Sequence, residues 1–482
     1  MPFKFLFRQI DIAPLVFFRI VFGALGFLDV IGVWIHYHLM KDTFNPEHLQ
    51  IKYYGFLWVK SIPDPWLSIA FWITAIAALG VMLGKWYRLS AAIFAIGFSY
   101  IFFLEKCNYL NHGYLFCVLS YLMIFVPANR AFSLDLKSNP KIYANSIPHW
   151  PIWLLKFLMT TVYVFGGIAK LNPDWLRALP LRIWLPYKKD YFIIGPLLEQ
   201  EWVAWLMSYG GILHDLFIIP FMLFKKTRIP AFLICCFFHI ANTMVFQIGI
   251  FPWLSIAFTA LFFPLDFPRK LIDYASLKIK CIRKWNTNYL IFLRDNISTH
   301  QTRYFAKLPV LTGGIIILFC TIQLLLPLRH HLYEGNVAWT EEGHRYSWRM
   351  MLRGKQGSGY YRVKNLSNAQ EKKVYASKFL TKRQNKKYKS HPDMILFVAH
   401  HLRDKYQEEW QADSVAVYPH FKVKLNGRNY QTFTDSSVDL AQEEWSWTEQ
   451  WDWILPLDFE DFPSKYSTKN QDDSAPHEGI SD

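Results

Sequence analysis

Apolar runs recur along this chain, and they limit what it can fold into more than any other feature. They cover residues 13–35, 66–83, 89–104, 113–126, 150–168, 202–224, 229–248, 250–265 and 308–328. A helix of about twenty apolar residues spans the hydrocarbon of a bilayer. The pattern therefore predicts an α-helical polytopic membrane protein of about nine spans, with the third, fourth and eighth runs short. Aromatic residues make up 18% of the chain, with 20 Trp, 26 Tyr and 41 Phe, a load that a soluble domain rarely carries. Lys4 and Arg8 precede the first run. No small-residue cleavage site follows it, so it reads as an anchor rather than a removable signal.

With spans in place, the net charge of +15 points to loops lying against anionic lipid, not to nucleic acid. Lysine and arginine concentrate in alternate loops: Lys4 and Arg8, Lys85 and Arg88, Arg130, Lys137 and Lys141, Lys225, Lys226 and Arg228, and the stretch "PRKLIDYASLKIKCIRKW". These loops are expected on the cytoplasmic side with the N-terminus, which puts everything after residue 328 in a periplasm or lumen. The division expected is a transmembrane domain over 1–328, an extracytoplasmic mixed α/β, β-rich domain over 329–466, and a disordered tail over 467–482. In the outer domain, "HPDMILFVAHHLRDKYQEEW" reads as a helix opened by Pro392 and Asp393. "FKVKLNGRNYQTF" reads as a hairpin turning at Asn426-Gly427. His400 and His401 are expected at the surface. None of the six cysteines lies in the outer domain, none has metal-ligand spacing, and Cys235-Cys236 reads as helix packing. No P-loop, Rossmann fingerprint or internal repeat is present.

Four polar clusters fall on the expected outer side: "NYLNHGYL" with Asn111 and His112, "GGIAKLNPDW" with Gly166, Gly167 and Lys170, "FFHIANTMVFQIGIF" with His239, Asn242 and Gln247, and "WTEEGHRYSWRMMLRGK". Polar groups inside spans are costly and usually face a protein interior or a wet pathway. Each cluster also has a plain structural reading. Asn111 can cap a helix, and Lys170 can snorkel to the interface. His239, Asn242 and Gln247 can be interhelical hydrogen-bond partners, and His214-Asp215 can be a buried structural pair.

The four clusters in this order resemble the vitamin K-dependent γ-glutamyl carboxylases. "GGIAKLNPDW" is similar to their Lys-Leu-Asp-Ala-Asp-Trp region and "NHGYL" to their Asn-His-Ser-Tyr-Leu segment. "FHIANTMVFQIGIF" resembles their Phe-His-Cys-Met-Asn-Ser-Gln-Leu-Phe stretch. "LPLRHHLYEGNVAWTEEGHRYSWRMM" resembles the segment that ends in Tyr-Ser-Trp-Asp-Met-Met. The resemblance runs from the first span to about residue 460. Its membrane part corresponds to the horizontally transferred transmembrane domain.

The resemblance implies an enzyme that removes a γ-hydrogen from protein glutamate and adds carbon dioxide. Reduced vitamin K (the hydroquinone) and dioxygen would be co-substrates, and no metal is expected. A carbon acid of this kind lies far beyond the reach of any side chain, because even full burial shifts a pKa by only ~3–5 units. Oxygenation of the quinol supplies the strong base and leaves an epoxide. A side chain need only deprotonate the hydroquinone. The resemblance assigns that task to Lys170, with His112 and Asn111 as catalytic neighbours. A lysine acting as a base near neutral pH must be partly unprotonated, which a desolvated site favours. Gly166, Gly167, His239, Asn242 and Gln247 would line the quinone cavity. Tyr346, Trp348, Met350 and Met351 match the segment associated with the glutamate substrate. There the family's Asp is Arg349, and a histidine-bearing stretch is replaced by one carrying Arg353 and Lys355, cations able to meet a substrate carboxylate. Shortness and the lack of outer disulfides point to a bacterial inner membrane rather than an endoplasmic reticulum. Two other functions fit the same residues: a quinol-dependent oxygenase that forms epoxide without carboxylating glutamate, and a non-enzymatic membrane protein that reuses the fold.

Overall fold

A computed structural model of the chain describes residues 4–40, 44, 48–246, 248–297, 303–304 and 309–461. The expected tail over 467–482 lies outside the described residues, as does Gln247. Two compact units form. The described residues within 1–171, 209–329 and 345–350 make up one, and those within 172–208, 330–344 and 351–461 the other. They therefore interleave along the sequence instead of meeting at one boundary near residue 328.

The first unit is helical: α1 (Ala13–Met40), α2 (Trp66–Leu83), α3 (Tyr87–Phe103), α4 (Asn111–Phe125), α5 (Trp150–Lys170), the part of α6 (Glu201–Leu223) from Tyr209, α7 (Arg228–Val245), α8 (Phe251–Ala260), α9 (Phe267–Lys278), α10 (Lys280–Asn296) and α11 (Pro309–Leu325). Among the described residues six helical segments are long and apolar enough to cross a membrane: Ala13–His36, Trp66–Leu83, Trp150–Lys170, Glu201–Leu223, Arg228–Val245 and Val310–Leu332. The third, fourth and eighth apolar runs become shorter helices, so helix length alone carries six spans and not nine. With ten residues, α8 rises only about 15 Å, half of a hydrocarbon layer of ~30 Å.

Close backbone approach and aromatic packing hold this unit together. A Cβ on Gly23 would lie 2.4 Å from the Met82 amide nitrogen and 2.8 Å from the Ala78 carbonyl oxygen, so α1 and α2 touch where the side chain is missing. Around that contact Phe22 meets Phe94 and Phe116 with ring centroids 5.7 and 5.3 Å apart. At one end, several connecting segments are tied to each other. Gln9–Asp11 pairs with Ser146–Pro148 as a short antiparallel ladder. Arg269 makes two bonds to the Asp11 carboxylate, at 2.8 and 3.0 Å. Asp135 accepts from the amides of Trp86 and Tyr87 at 2.6 and 2.9 Å. The buried Arg19 donates to the carbonyls of Ala128, Ala131 and Phe132. Four of the five basic segments are thus bonded to one another. The long basic connection is not a plain loop. It folds into α9 and α10, with Leu271, Tyr274, Leu277, Trp285 and Leu290 exposed among its cations.

The second unit carries a four-stranded antiparallel sheet of β1 (Lys355–Asn365), β2 (Glu371–Val374), β3 (Val415–Leu425) and β4 (Gln431–Thr432), in the order β2-β1-β3-β4. Residues 415, 417, 419, 421, 423 and 425 of β3 are buried, the period-two signature of a half-buried strand. Between β2 and β3, α12 (Pro392–Trp410) starts at Pro392 as the sequence predicts and packs on the sheet, where the Tyr361 hydroxyl donates to the Ile395 carbonyl at 2.9 Å. The hairpin turns at Asn426 and Gly427, with φ of 48° and 81°, the left-handed pair that Asn-Gly adopts at least cost. His400 is half-buried and not a surface residue, its Nε2 2.8 Å from the Glu443 carbonyl oxygen; His401 is likewise half-buried, its ring centroid 5.4 Å from that of Phe379.

Residues 172–208 join this unit through a buried ion pair. Both Arg428 Nη1 and Nη2 reach the Asp174 carboxylate at 2.8 Å, and Asn426 Nδ2 adds a third bond at 2.8 Å. The next residue, Trp175, donates its indole N–H to the Ser208 carbonyl at 3.0 Å, and Ser208 Oγ donates back to the Trp175 carbonyl at 2.6 Å. The "PDW" of the motif is thus an anchor for the hairpin unit.

Candidate active site

In the first unit, α5 runs apolar for most of its length and ends at Lys170. This residue is buried, not spread to an interface: it is 7% exposed, and its Nζ lies 2.5 Å from Asp215 Oδ2 and 3.3 Å from the Gly166 carbonyl oxygen. Snorkelling needs a charged tip in water, so that reading does not describe the residue. The other Asp215 oxygen is 2.9 Å from His214 Nδ1. His214-Asp215 is therefore more than a closed structural pair; its carboxylate is the partner of Lys170. The glycines before Lys170 make the contact possible. A Cβ on Gly167 would lie 2.6 Å from Leu216 Cδ2, and one on Gly166 would lie 3.3 Å from Asp215 Oδ2. Absence of side chains there lets α5 and α6 close.

The segment 345–350 belongs to the same unit and lies beside this pair. The Trp348 carbonyl oxygen and Met350 Cε are both 3.8 Å from the position of a Gly166 Cβ. Asn111 holds the segment. Its Nδ2 donates to the Arg349 carbonyl at 3.0 Å, and its Oδ1 accepts from the Tyr109 hydroxyl at 3.0 Å. Asn111 makes no side-chain cap of α4, so the capping reading fails. Tyr109 in turn accepts from the Tyr346 amide at 2.7 Å. Tyr114 packs against both Tyr346 and Trp348, with centroids 5.0 and 5.1 Å apart. Tyr346 and Trp348 have φ of 63° and 60°, a left-handed conformation that bulky residues adopt only when surroundings enforce it. Trp348 is 1% exposed, and its indole N–H is buried with no hydrogen-bond partner among the described residues.

His112 begins a second line of contacts. Its ring centroid is 6.1 Å from Phe251, and Phe251 is 6.0 Å from His239. His239 is buried and 2.7 Å from the Tyr163 hydroxyl. Asn242 does not join these groups; its Nδ2 donates to the Phe238 carbonyl of its own helix at 2.9 Å. The structure thus brings Lys170, Gly166 and Gly167 together with Trp348 and Met350, in a segment that Asn111 and Tyr346 help to hold, while His112 and His239 lie on a second line through Phe251. It adds Asp215, Tyr109 and Tyr114, which sequence reasoning had not placed there. An aspartate in the middle of an apolar run was the available signal for Asp215.

Met351, Arg353 and Lys355 lie in the second unit. Met351 is exposed, with φ of 56°. The two cations are not free. Both meet Glu341: Arg353 Nε at 2.7 Å with a second bond from its Nη2, and Lys355 Nζ at 3.2 Å. Lys355 also donates to the Trp339 carbonyl at 2.6 Å. Burial alone would push the Glu341 carboxyl up, but Arg353 and Lys355 outweigh it and hold it well below the usual range. Burial brings the Lys355 ammonium down to about 8 against the pull of Glu341. Two cations facing one carboxylate leave one positive charge, and the Arg353 side chain, 17% exposed against 2% for Lys355, is the more accessible.

No solved structure matches the chain. Two family matches cover most of it. The HTTM domain matches residues 7–267, the helices that carry Asn111, His112, Lys170, Asp215 and His239. The lumenal domain of vitamin K-dependent gamma-carboxylase matches residues 309–460, a span that includes the 345–350 segment and the four-stranded sheet. The transmembrane part and the lumenal part occur in one chain, in the order the four polar clusters indicated, and this chain belongs to the vitamin K-dependent gamma-carboxylase family.

Proposed function

We propose that the protein is a membrane carboxylase that couples oxidation of a vitamin K hydroquinone to carboxylation of glutamate in a peptide or protein. The observation that carries this reading is the buried Lys170–Asp215 pair beside the segment 345–350, which Asn111 holds in place. One group suits a quinol: the unpartnered Trp348 indole N–H offers a hydrogen bond to an oxygen. When bound, the hydroquinone and dioxygen together supply the strong base that no side chain can provide. Lys170 Nζ takes the hydroquinone proton, and the Asp215 carboxylate at 2.5 Å balances the charge that Lys170 then carries. His112, whose ring meets Phe251, is the residue proposed to donate or accept a hydrogen bond at the reacting oxygen. Asn111 acts as a positioning residue through Arg349 and Tyr346. Epoxide and fixed carbon counted separately, from purified protein given reduced vitamin K, dioxygen, labelled bicarbonate and a glutamate peptide, test the proposal. Epoxide without carbon fixation would favour the quinol oxygenase reading.

Arg353 is the cation proposed for the glutamate side chain. Substituting Arg353 and Lys355 together would strand the buried Glu341 carboxylate and measure folding. Arg353→Gln leaves Lys355 on Glu341. It should raise KM for the peptide while epoxidation of free hydroquinone continues; equal loss of both activities would contradict the assignment.

The proposed sidedness is N-terminus cytoplasmic and sheet unit outside. Arg177 and Asn429 are both exposed, so cysteines placed there should react with a membrane-impermeant maleimide in intact vesicles of known orientation. The native Cys281, exposed on α10, should react only after the bilayer is opened. Early labelling of Cys281 would reverse the topology.

A further inference from the structure

Behind the Lys170–Asp215 pair sits a group that the proposed reaction does not use. Cys235 and His239 lie four residues apart on α7, and so one above the other on one face. His214 approaches from α6. The ligand atoms of His214, Cys235 and His239 all lie within 4.8 Å of one another, and all three residues are buried. His214 Nδ1 is engaged with Asp215, which leaves Nε2 as its free donor. That nitrogen is buried and without a hydrogen-bond partner among the described residues. Tyr163, from α5, places its hydroxyl 2.7 Å from His239 Nε2 and 3.6 Å from Cys235 Sγ.

We propose that His214, Cys235 and His239 bind a zinc ion, with the Tyr163 oxygen facing the fourth coordination position. Two imidazoles and a thiolate are the donor set of zinc, whereas magnesium, calcium and manganese take oxygen. Asp215 stands behind His214 as carboxylates stand behind metal-bound histidines, fixing the tautomer that leaves Nε2 unprotonated. Bonds of about 2.0–2.3 Å in a tetrahedron put donors roughly 3.3–3.8 Å apart. The widest pair therefore closes by about 1 Å on binding, a distance that side-chain rotation covers. A thiolate leaves the ion one net positive charge, next to the Asp215 carboxylate. The ion would pin α5, α6 and α7 to each other and hold Asp215, whose other oxygen meets Lys170. The sequence does not announce this site, because its donors come from two helices and Cys235-Cys236 resembles ordinary packing.

The test is metal analysis of the full-length protein purified in detergent and exposed to zinc, followed by exchange to cobalt(II). About one zinc per chain is expected, and the cobalt form should show thiolate charge-transfer absorption and the intense visible bands of a tetrahedral centre. Cys235→Ser should remove the charge-transfer band and bring zinc to background; His214→Leu should do the same for zinc, while Cys236→Ser keeps both. If Cys235→Ser or His214→Leu fails to accumulate, wild-type protein decides: a chelator should lower its Tm and added zinc restore it. Zinc far below one per chain, a charge-transfer band that survives Cys235→Ser, copper in place of zinc, or a Tm indifferent to chelation would overturn the proposal. None of these readouts depends on quinol chemistry, so zinc-free protein that forms epoxide would remove the metal site and leave the carboxylase reading intact.

Discussion

Lys170→Arg should lose epoxide formation by at least about a hundredfold, the usual scale for removing a general base, while the protein accumulates and binds quinone normally. The substitution separates a proton acceptor from a structural cation. A guanidinium stays protonated at any working pH and cannot accept a proton. It can still bond a carboxylate, so Asp215 keeps a partner and the junction of α5 with α6 stays bridged. Lys170→Ala would be less informative, because it leaves the buried Asp215 carboxylate without the Nζ that it bonds and costs stability as well as chemistry. Asp215→Asn is the complementary variant. It keeps a hydrogen-bonding group at the same place but removes the negative charge, and should slow epoxidation less than Lys170→Arg. Near-normal epoxidation by Lys170→Arg, at normal abundance, would make Lys170 a structural residue and remove the main support for an enzyme.

The site was legible in the sequence where it rests on local pattern, and hidden where it rests on pairing. Lys170 at the end of an apolar run, Pro392 opening a helix and Asn426-Gly427 turning a hairpin are each set by a few neighbouring residues, and each is found where those residues put it. Apolar runs mark where helices form but not how far they reach. The third, fourth and eighth runs gave α3, α4 and α8, which are too short to be counted as spans by length. Partnerships across the chain left no local mark. Nothing near Asn111 indicates that it holds the Arg349 carbonyl rather than capping its own helix, and nothing near Asp174 indicates Arg428. The same limit applies to Arg353 and Lys355. Cations replacing a family segment look available to a substrate until Glu341 is found between them. An acidic residue in "WTEEGH" was visible, but its partner could not be chosen from order alone.

Glu341→Gln should destabilise the sheet unit strongly, with Tm falling on the order of 10 °C for a lost buried pair worth about 3–5 kcal/mol. Glu341 sits in a left-handed conformation, φ 66°, just after the short helix Val337–Thr340. Its carboxylate is the shared counter-ion of Arg353 and Lys355. Removing the charge leaves two cations facing each other out of water, and among the described residues neither has a hydrogen bond to another carboxylate. Lys355→Met is the contrasting variant. It fills a similar volume, leaves Arg353 on Glu341 and relieves the burial that brings the Lys355 ammonium down to about 8. Its effect should be small, or even stabilising, because replacing a buried charge is cheaper than orphaning one. The pH dependence follows from the directions of the two shifts. The Glu341 carboxyl is held below its unfolded value by Arg353 and Lys355. Its contribution is complete above the unfolded carboxyl pKa of about 4.3 and is lost as pH falls below it. Lys355 is lowered instead, so its burial costs stability below pH of about 8, and that cost fades between there and about 10.4. Tm of the full-length protein in detergent, followed from about pH 3 to about pH 10, should therefore fall on the acid side in wild type and fall much less in Glu341→Gln. An acid limb of equal depth in both proteins would mean that other carboxylates govern the unit's stability and that the Glu341 cluster is incidental to it.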